Sequence, residues 1–461
     1  MMNHIGGGNR PRRKGTAMSE FLTIKDLKDA AHEIIEFFLA RNDLLICNGQ
    51  IYEKREGFYS SIGSEDKLIR RIYQSINRDQ IAQISTRAVK EAAGRIMNHP
   101  ALQFDFNEQR TQDMMKLNVE NGVYDINQRS FSERKGDSYF DYMLNFTYRD
   151  NAKIDLAMNF VSFVTTSLGR EYLECLLRIL AYLISSLISG RKAFLLLGKG
   201  STGKSTLLEL IEAVVGVPNT SHVPFHLMGN LHARAEYREK RLNISRDNSD
   251  APMKNEDAFK NLVSCEMISG RRLYENLVDF IPRLKFIFAS NVDLNFAHPD
   301  DAVYDRLLVI PFTKEIPEKE RDRELLQKLL AEKDIIFSVA MNQLSDLVQS
   351  GYDFKEPDAS KEIIAVYRKA LHTAESFLGD CCKVDESGAV SSVELYRQYL
   401  CWCGDNGMEA DGQKTFYAKV RALSPVIRES KVWHSGKRVN GFKGITLKES
   451  GDAHPDDEQA E

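Results

Sequence analysis

The feature that most constrains the fold is the run of residues 194–206, which reads as a buried strand, a glycine-rich turn and the start of a helix. The turn has the Gly-x-x-x-x-Gly-Lys-Ser spacing of a phosphate-binding loop. Glycines at both ends allow a tight turn whose N–H groups point inward as an anion nest. A helix from about Lys204 adds its positive N-terminal end to the same site. The run therefore predicts an α/β fold that binds a nucleoside triphosphate.

The positions of this loop have separate expected roles. We expect Lys204 to neutralise the terminal phosphate charge and the Ser205 hydroxyl to ligate Mg²⁺. The apolar strand before the loop and the helical run over 207–211 supply the context that the motif requires. The residues expected to bind the nucleotide are Gly198, Gly200, Ser201, Thr202, Gly203, Lys204, Ser205 and Thr206.

Length and charge set broad limits. A chain of 461 residues predicts about three domains. Lysine plus arginine (62) nearly balances aspartate plus glutamate (66), and the net charge is −4, so nucleic-acid contacts must come from local basic patches. The seven cysteines contain no C-x-x-C pair, which favours reduced thiols over a zinc site.

Two segments bear on location. The N-terminus is basic and has no apolar core, so it does not read as a secretory signal; we expect a disordered leader, with Met1 or Met18 as the natural start. Residues 172–189 are apolar but carry charges at helical periodicity, which favours a packed helix over a membrane span. We therefore expect a cytoplasmic protein without a membrane partner.

Periodicity and turn signals predict the individual elements. Helices are expected over 24–41, 65–77 and 80–97. A hairpin over 44–52 is expected to turn at Asn48-Gly49, and a second strand-turn piece covers 115–126.

The chain divides into seven expected segments. The order helix, helix, then two strands punctuated by glycine suggests a winged helix for the last folded one. In chain order we expect a disordered leader (1–19), a mixed α+β domain (20–150), two helices (151–190), alternating strands and helices of the nucleotide-binding core (191–315), a helical segment (316–371), a winged-helix-like domain (372–448) and an acidic disordered tail (449–461).

Three pieces after the phosphate loop indicate what kind of nucleotide enzyme this is. The strand-like run 240–247 ends at Asp247, a carboxylate expected to hold Mg²⁺ or to orient the attacking water. The apolar run 284–291 delivers Asn291, whose amide is expected to contact the γ-phosphate and the water. Arg306 stands just before another apolar run and is expected to reach the nucleotide of a neighbouring copy.

Read in this order, the motifs over about 115–447 resemble the superfamily 3 helicases of the AAA+ class. Within that class they resemble the phage/plasmid primase C-terminal family, which includes the poxvirus primase-helicase. The matching words are 121–126, the phosphate loop, 259–262, 268–274, the Ser290-Asn291 tip and 306–312.

The resemblance implies an AAA+ P-loop ATPase core with a helical collar at 151–190 and a C-terminal winged helix. It implies that Lys204 and Ser205 bind ATP and Mg²⁺, that Asp247 completes the Mg²⁺ site, that Asn291 is the sensor and that Arg306 is the arginine finger. It also implies a hexameric ring that moves along one DNA strand, typically in the 3′-to-5′ direction.

The chain departs from the family pattern at four places. Thr202 replaces an asparagine, Asp247-Asn248 replaces a glutamate with an apolar residue, Cys265-Glu266 replaces a glycine with an acid, and Glu275-Asn276 replaces a basic hairpin tip. DNA contact is therefore expected from basic groups and an aromatic ring near the hairpin. These candidates are Lys260, Arg271, Arg272 and Tyr274.

Taken together, the sequence predicts an ATP-dependent DNA helicase that acts on single-stranded and forked DNA in replication of a phage, plasmid or other mobile element. Two alternatives stay open: an initiator that melts an origin, and a DNA-binding regulatory ATPase without unwinding. The roughly 130 residues before the helicase-like part are short for a polymerising domain, so a separate primase or initiator is the expected partner. His222, His226 and His232 are not expected to bind a metal, because Pro224 interrupts their helical spacing.

Overall fold

A computed structural model describes residues 21–135, 138–246, 251–273, 276–434 and 436–448. Their buried apolar side chains form several clusters, and the largest extends from Leu117 to Phe354. Separate cores lie within residues 22–102 and 374–445. In the part of the chain that the structure describes, no helix is long and apolar enough to cross a membrane.

The N-terminal core is built from three helices and a three-stranded antiparallel sheet. The predicted hairpin is confirmed: Asn48 and Gly49 take φ values of 49° and 72°, the left-handed pair that a two-residue hairpin turn requires. The elements are α1 (Ala30–Arg41), β1 (Leu44–Cys47), β2 (Gln50–Lys54), β3 (Tyr59–Gly63), α2 (Glu65–Ser75), α3 (Thr86–Met97) and the short α4 (Phe106–Gln112).

Two helices in this region begin later than predicted. The helix expected from residue 24 begins at Ala30, because the Ile24 N–H donates to the Gln80 side chain and the N–H groups of Lys25 and Asp26 donate to the Glu33 carboxylate. The helix expected from residue 80 is divided in two: Arg78–Gln83 is a 3₁₀ helix, and the α-helix begins at Thr86, where the Ser85 hydroxyl accepts the Ala88 N–H at 3.1 Å and caps it. In both cases a specific hydrogen bond overrides the apolar periodicity.

A second three-stranded sheet and two helices precede the central sheet in the chain. The predicted strand-turn piece and the predicted pair of helices are both confirmed. Their buried residues belong to the same cluster as the central sheet, so residues on both sides of position 150 share one core. The elements are β4 (Lys116–Val119), β5 (Gly122–Asp125), β6 (Ser130–Ser132), α5 (Met158–Ser167) and α6 (Tyr172–Ile184).

The central sheet has five parallel strands, and four of them were predicted as apolar or strand-ending runs. Helices cover it, and three of its strands read as nearly continuous apolar segments rather than alternating ones. Its elements and its neighbours are β7 (Ala193–Leu197), α7 (Lys204–Val215), β8 (Thr220–Ser221), α8 (Leu231–Arg234), β9 (Leu242–Ser245), α9 (Glu256–Val263), β10 (Ile268–Gly270), β11 (Val278–Phe280), β12 (Lys285–Ser290), α10 (Asp301–Asp305) and β13 (Leu307–Pro311). The strand order is β13-β7-β12-β9-β8, and β10 and β11 form a separate antiparallel hairpin.

The rest of the chain is helical and then mixed. The last unit has a three-stranded antiparallel sheet in the order β14-β16-β15, packed against three helices. Its first strand was not predicted, because most of its side chains are exposed and show no apolar alternation. The elements are α11 (Leu325–Asn342), α12 (Leu344–Gln349), α13 (Asp358–Leu371), α14 (Thr373–Cys381), β14 (Cys382–Ser391), α15 (Ser392–Asp405), α16 (Gln413–Leu423), β15 (Arg428–His434) and β16 (Lys437–Leu447).

Candidate functional site

The glycine-rich loop joins β7 to α7, as predicted. A Cβ atom on Gly198 would lie 2.1 Å from the carbonyl oxygen of Phe312, so this position accepts only glycine. Gly203 has a φ of 99°, and a Cβ there would lie 2.6 Å from the ring of Phe163 in α5. The loop is therefore held closely between the chain that leaves β13 and the helix α5.

Lys204 begins α7 and is only 7% exposed. Its ammonium group donates to the Lys199 carbonyl at 2.7 Å and to the Thr202 hydroxyl at 3.3 Å. It also donates to the side-chain oxygen of Asn291 at 3.3 Å. The structure therefore brings two of the predicted site residues into direct contact.

This contact follows from the pairing of the strands. β12 lies parallel to β7, with Ser290 opposite Leu197, and the Gly198 N–H donates to the Ser290 carbonyl at 3.0 Å. Residues that follow the two strands therefore lie close together at the carboxyl ends of the strands, which is where ligands bind in open α/β folds. Ser205 is also at the carboxyl ends of the strands, where it is exposed in the first turn of α7.

Asp247 lies outside the described residues, so its part in the site stays a prediction. The strand before it, β9, pairs with β12 in parallel, with Ser245 opposite Phe288. Arg246 is bound to α7, since its guanidinium lies 2.9 Å from a carboxylate oxygen of Glu212.

Arg306 lies at the amino ends of the parallel strands, whereas the glycine-rich loop lies at their carboxyl ends. It comes directly before β13, whose first residue, Leu307, is paired with Ala193 at the start of β7. At about 3.3 Å per residue, Arg306 and Gly198 are separated by roughly 20 Å along the strand direction. The Arg306 guanidinium donates to the Ser264 hydroxyl at 3.0 Å and to the Ala302 carbonyl at 2.8 Å. It is thus held in place, and far from the loop of its own chain.

The predicted DNA-facing residues fall into two groups. Lys260, on α9, lies 2.9 Å from Asp257 and 2.8 Å from Asp300, and hydrogen bonds to these carboxylates raise its pKa. Its positive charge is therefore balanced within the chain. Arg271 and Arg272 follow β10 in the β10–β11 hairpin and are both exposed.

Two further observations concern the remaining predictions. Tyr274 lies outside the described residues. Among the residues described, no group of three or more histidine, cysteine or acidic side chains is placed to hold a metal ion. His222 instead contacts Glu212 at 2.9 Å, and the seven cysteines carry free thiols.

Two features of the site were not predicted. The Ile316 N–H donates to the Ser201 carbonyl at 3.2 Å, so the chain after β13 crosses the phosphate loop. Ser264 orients Arg306 across a gap of 42 residues. No local pattern marks either residue, because both contacts depend on how distant elements pack.

A pair of buried cations lies where α6 ends and the central sheet begins. The Lys285 ammonium donates to the Ser185 carbonyl at 2.5 Å. Burial, and secondly the positive charge of Arg241, lower the Lys285 pKa to about 7. Arg241 lies 3.4 Å from the centre of the Tyr142 ring and donates to the Ser186 hydroxyl at 3.2 Å. These groups tie α6 to the end of the sheet remote from the loop.

Comparison with known proteins gives matches to two families. Residues 196–306 match a family described as "Family of unknown function (DUF5906)", and residues 375–450 match one described as "Poxvirus D5 protein-like". The chain is also 22% identical, over 320 residues, to the "Putative helicase L207/L206" of Acanthamoeba polyphaga mimivirus. These matches support a relationship to D5-like helicase proteins. The aligned region covers 63% of this chain and 33% of the mimiviral protein, so the chain spans about a third of that relative's length.

Solved structures give a likeness in fold. Two apo structures of the NrS-1 C terminal region match with TM-scores of 0.51 and 0.50, at 11% and 13% sequence identity. The first match covers 90% of this chain and 99% of the other, and the second covers 89% and 98%. The arrangement of elements described above therefore occurs in a solved protein region of nearly the same extent.

Proposed function

We propose that this chain is an ATP-dependent DNA helicase of superfamily 3, which acts as a ring on single-stranded DNA during replication of a virus, plasmid or other mobile element. The observation that carries the proposal is the placement of three side chains on one parallel sheet. Lys204 and Asn291 are in contact at the carboxyl ends of the strands, and Arg306 is fixed at their amino ends. Such a division suits an ATP site that two copies of the chain complete together.

At the carboxyl ends of the strands, Lys204 and the N–H groups at the start of α7 would bind the β- and γ-phosphates of ATP. Asn291 would contact the γ-phosphate and position the attacking water. The exposed Ser205 hydroxyl suits a hard cation, and Ser205 together with Asp247 would hold Mg²⁺, which neutralises phosphate charge during transfer.

At the amino ends of the strands, Arg306 would complete the ATP site of a neighbouring copy. A roughly 20 Å separation along the sheet keeps it from its own phosphate loop. A head-to-tail contact that repeats and closes produces a ring, and we propose a hexamer. Arg271 and Arg272 would then be repeated around the ring and would face DNA phosphates.

The architecture agrees with this reading. A parallel sheet with a phosphate loop after an interior strand supports an AAA+ P-loop core, with α5 and α6 as its collar. The C-terminal order α14-β14-α15-α16-β15-β16 supports a winged helix. We propose the domain limits given above, with residues 117–148 of the N-terminal domain packed in the same core as the central sheet. We also propose a separate primase or initiator protein as partner.

Mixing two inactive variants tests the shared site. Lys204→Ala removes the phosphate contact and Arg306→Ala removes the finger, and each alone is expected to lower ATP hydrolysis by at least about 100-fold. If subunits of the two variants mix at random, about a quarter of the boundaries pair an intact loop with an intact finger. Hydrolysis is therefore expected to return in the mixture.

Controls decide the interpretation. A mixture of Lys204→Ala with the double variant Lys204→Ala/Arg306→Ala should stay inactive. If the first mixture also stays inactive although the variants assemble together, Arg306 does not act between copies. A forked-duplex assay with the active protein then separates a helicase from a DNA-stimulated ATPase that does not unwind.

A further inference from the structure

The hairpin of β15 and β16 carries an aromatic side chain that the C-terminal core does not use. Trp433 is 74% exposed, whereas the chain's other tryptophan, Trp402, is 9% exposed within that core. An indole contributes a large apolar area when buried, so leaving it in water forgoes a considerable stabilisation. The ring of Trp433 is therefore available for contact with a binding partner.

The register of the hairpin surrounds this ring with polar and positive groups. Trp433 is directly opposite Arg438, and Lys431 is directly opposite Asn440. Because alternate residues of a strand point to the same face, these four side chains share one face of the hairpin. Each of the four residues is exposed.

The charge of this segment differs from that of the chain. Residues 428–448 contain six lysines and arginines and a single acid, Glu429, a surplus of five positive charges in a chain of net charge −4. Glu429 is already bound by Arg421 of α16. Within the described ranges, no carboxylate lies within 4 Å of Lys431, Lys437 or Arg438. The hairpin is thus locally positive.

A cleft of about 460 Å³ lies beside this hairpin and shares Lys431 and Asn440 with the face described above. Tyr417 of α16, Lys431, Asn440 and Phe442 are among the residues that line it. The Tyr417 hydroxyl donates to the Ser392 carbonyl at 2.7 Å, which fixes the wall of the cleft on that side. A flat ring, neighbouring cations and an adjoining cleft occur together on one surface.

We infer that Trp433, with Lys431 and Arg438, forms a nucleic-acid contact that stacks on an unpaired base where duplex DNA meets a single strand. The inference rests on the proposed helicase function. The cations would contact phosphates, and the indole would contact a base face. Within a duplex each base face is covered by its neighbours, so a stacking side chain finds an open face where pairing ends.

A protein partner is the competing occupant of an exposed tryptophan. The surplus of positive charge around Trp433 favours a polyanion instead, since protein interface cores are depleted of charged residues, lysine among them. The two occupants respond differently to ring shape: an apolar pocket accepts leucine, whereas stacking on a base needs a planar ring.

Tryptophan fluorescence tests the contact directly. The chain has two tryptophans, so Trp433→Phe leaves only the buried Trp402 as emitter. Adding forked DNA to the wild-type protein, with a non-hydrolysable ATP analogue, is expected to quench the emission; the Trp433→Phe variant should show no such quenching. Equal quenching in both proteins would overturn the inference.

Binding of labelled forked DNA gives the second measurement. We expect Trp433→Ala and Trp433→Leu to weaken binding about tenfold and Trp433→Phe to retain most of it. Arg438→Ala should weaken binding several-fold, while Lys383→Ala, an equal charge change on the exposed part of β14, should not. Retention of full affinity by Trp433→Leu would overturn the stacking contact.

These outcomes separate the inference from the proposed function. Trp433→Ala is expected to hydrolyse ATP without DNA at the wild-type rate. If the wild-type protein hydrolyses ATP and unwinds forks while Trp433→Ala does both equally well, the hairpin contact is wrong and the motor stands. If Trp433→Ala alters assembly, measured by light scattering, and leaves fork affinity unchanged, the surface binds protein and the inference fails.

Discussion

The ammonium group of Lys204 lies 3.3 Å from the side-chain oxygen of Asn291. The two residues are 87 positions apart, and they meet because β7 and β12 are parallel neighbours. A lysine that turns toward a phosphate must exchange its present protein oxygens for phosphate oxygens. Under the proposed function, Asn291 would therefore respond when the loop binds a nucleotide.

Asn291→Ala is expected to slow ATP hydrolysis about 100-fold, because a side chain aimed at developing charge acts mainly in the transition state. Nucleotide affinity should change less than about threefold, as measured with a fluorescent ATP analogue. Val292→Ala, at the exposed neighbouring residue, should leave both quantities near wild type. A parallel loss of affinity and rate in Asn291→Ala would contradict the sensor role.

Ser264 positions the guanidinium of Arg306 and is itself nearly buried. Ser264→Ala is expected to lower kcat about fivefold, since one hydrogen bond of about 1 kcal/mol is lost, without changing ATP affinity. Ser264→Thr, which keeps the hydroxyl, should restore part of the rate. If Ser264→Ala hydrolyses ATP with the wild-type kcat, the hydrogen bond has no part in the function of Arg306.

Two loop glycines should respond differently to alanine. Gly198→Ala places a methyl group 2.1 Å from a backbone oxygen of Phe312, and a Cβ at Gly200 meets no atom within 4 Å. We expect Gly198→Ala to cost about 3 kcal/mol of unfolding free energy and Gly200→Ala less than about 0.5 kcal/mol. Chemical denaturation measures both. Equal stability of the two variants would refute the close packing of the loop.

The parts of the fold that the sequence predicted are those with a strong local signal. The apolar runs before Gly198 and before Asn291 are typical of buried strands, and Asn48-Gly49 is typical of a tight hairpin turn. A role for Arg306 at the nucleotide of a neighbouring copy was predicted from its place before an apolar run, and that role stays a prediction. Its location at the amino ends of the strands, roughly 20 Å from the loop, follows from the pairing of β13 with β7, which cannot be read from the sequence.

The parts that were missed depend on distant contacts. Residues 24–29 were predicted as the start of a helix, yet hydrogen bonds from their N–H groups to the side chains of Gln80 and Glu33 keep the segment outside α1. β14 has a mostly exposed, polar sequence and becomes a strand only by pairing with β16. Lys260 reads as a free basic group. Asp257, three residues earlier on α9, is a local partner, whereas Asp300 becomes a partner only when the start of α10 packs against α9.

The buried Lys285 predicts a particular pH dependence of stability. Its pKa is lowered to about 7 in the folded chain from 10.5. Above pH 7 the unfolded chain therefore holds a proton that the folded chain lacks, so the unfolding free energy rises with pH. The penalty for burying the charge is complete below pH 7 and is relieved as the pH rises toward 10.5.

Lys285→Met should remove this dependence. Between pH 7 and 8.5, the unfolding free energy of the wild type is expected to rise relative to that of Lys285→Met by about 1 kcal/mol per pH unit. This window stays below the titration of Cys265, whose thiol pKa burial raises above 9.0. Lys383→Met, at an exposed lysine, is the control and should follow the wild type. Identical slopes for wild type and Lys285→Met would show that Lys285 is charged when folded.

Lys260 and Arg271 should differ in their effect on DNA binding. Lys260 is paired with Asp257 and with Asp300, and hydrogen bonding to Lys260 lowers the Asp300 pKa. Arg271 is exposed beside the β10–β11 hairpin. Removing a phosphate contact should reduce the slope of log affinity against log salt by about 0.7 on single-stranded DNA.

Arg271→Ala is therefore expected to weaken single-strand binding several-fold at low salt and to reduce this slope, while Lys260→Ala leaves both unchanged. Lys260→Ala should instead affect stability slightly, by less than about 1 kcal/mol, because its ion pairs are near the surface. Fluorescence anisotropy at four salt concentrations measures the slopes. A reduced slope in Lys260→Ala would mean that DNA displaces Asp257 and Asp300 from this lysine, and the assignment of Arg271 as the DNA contact would then have to be extended to α9.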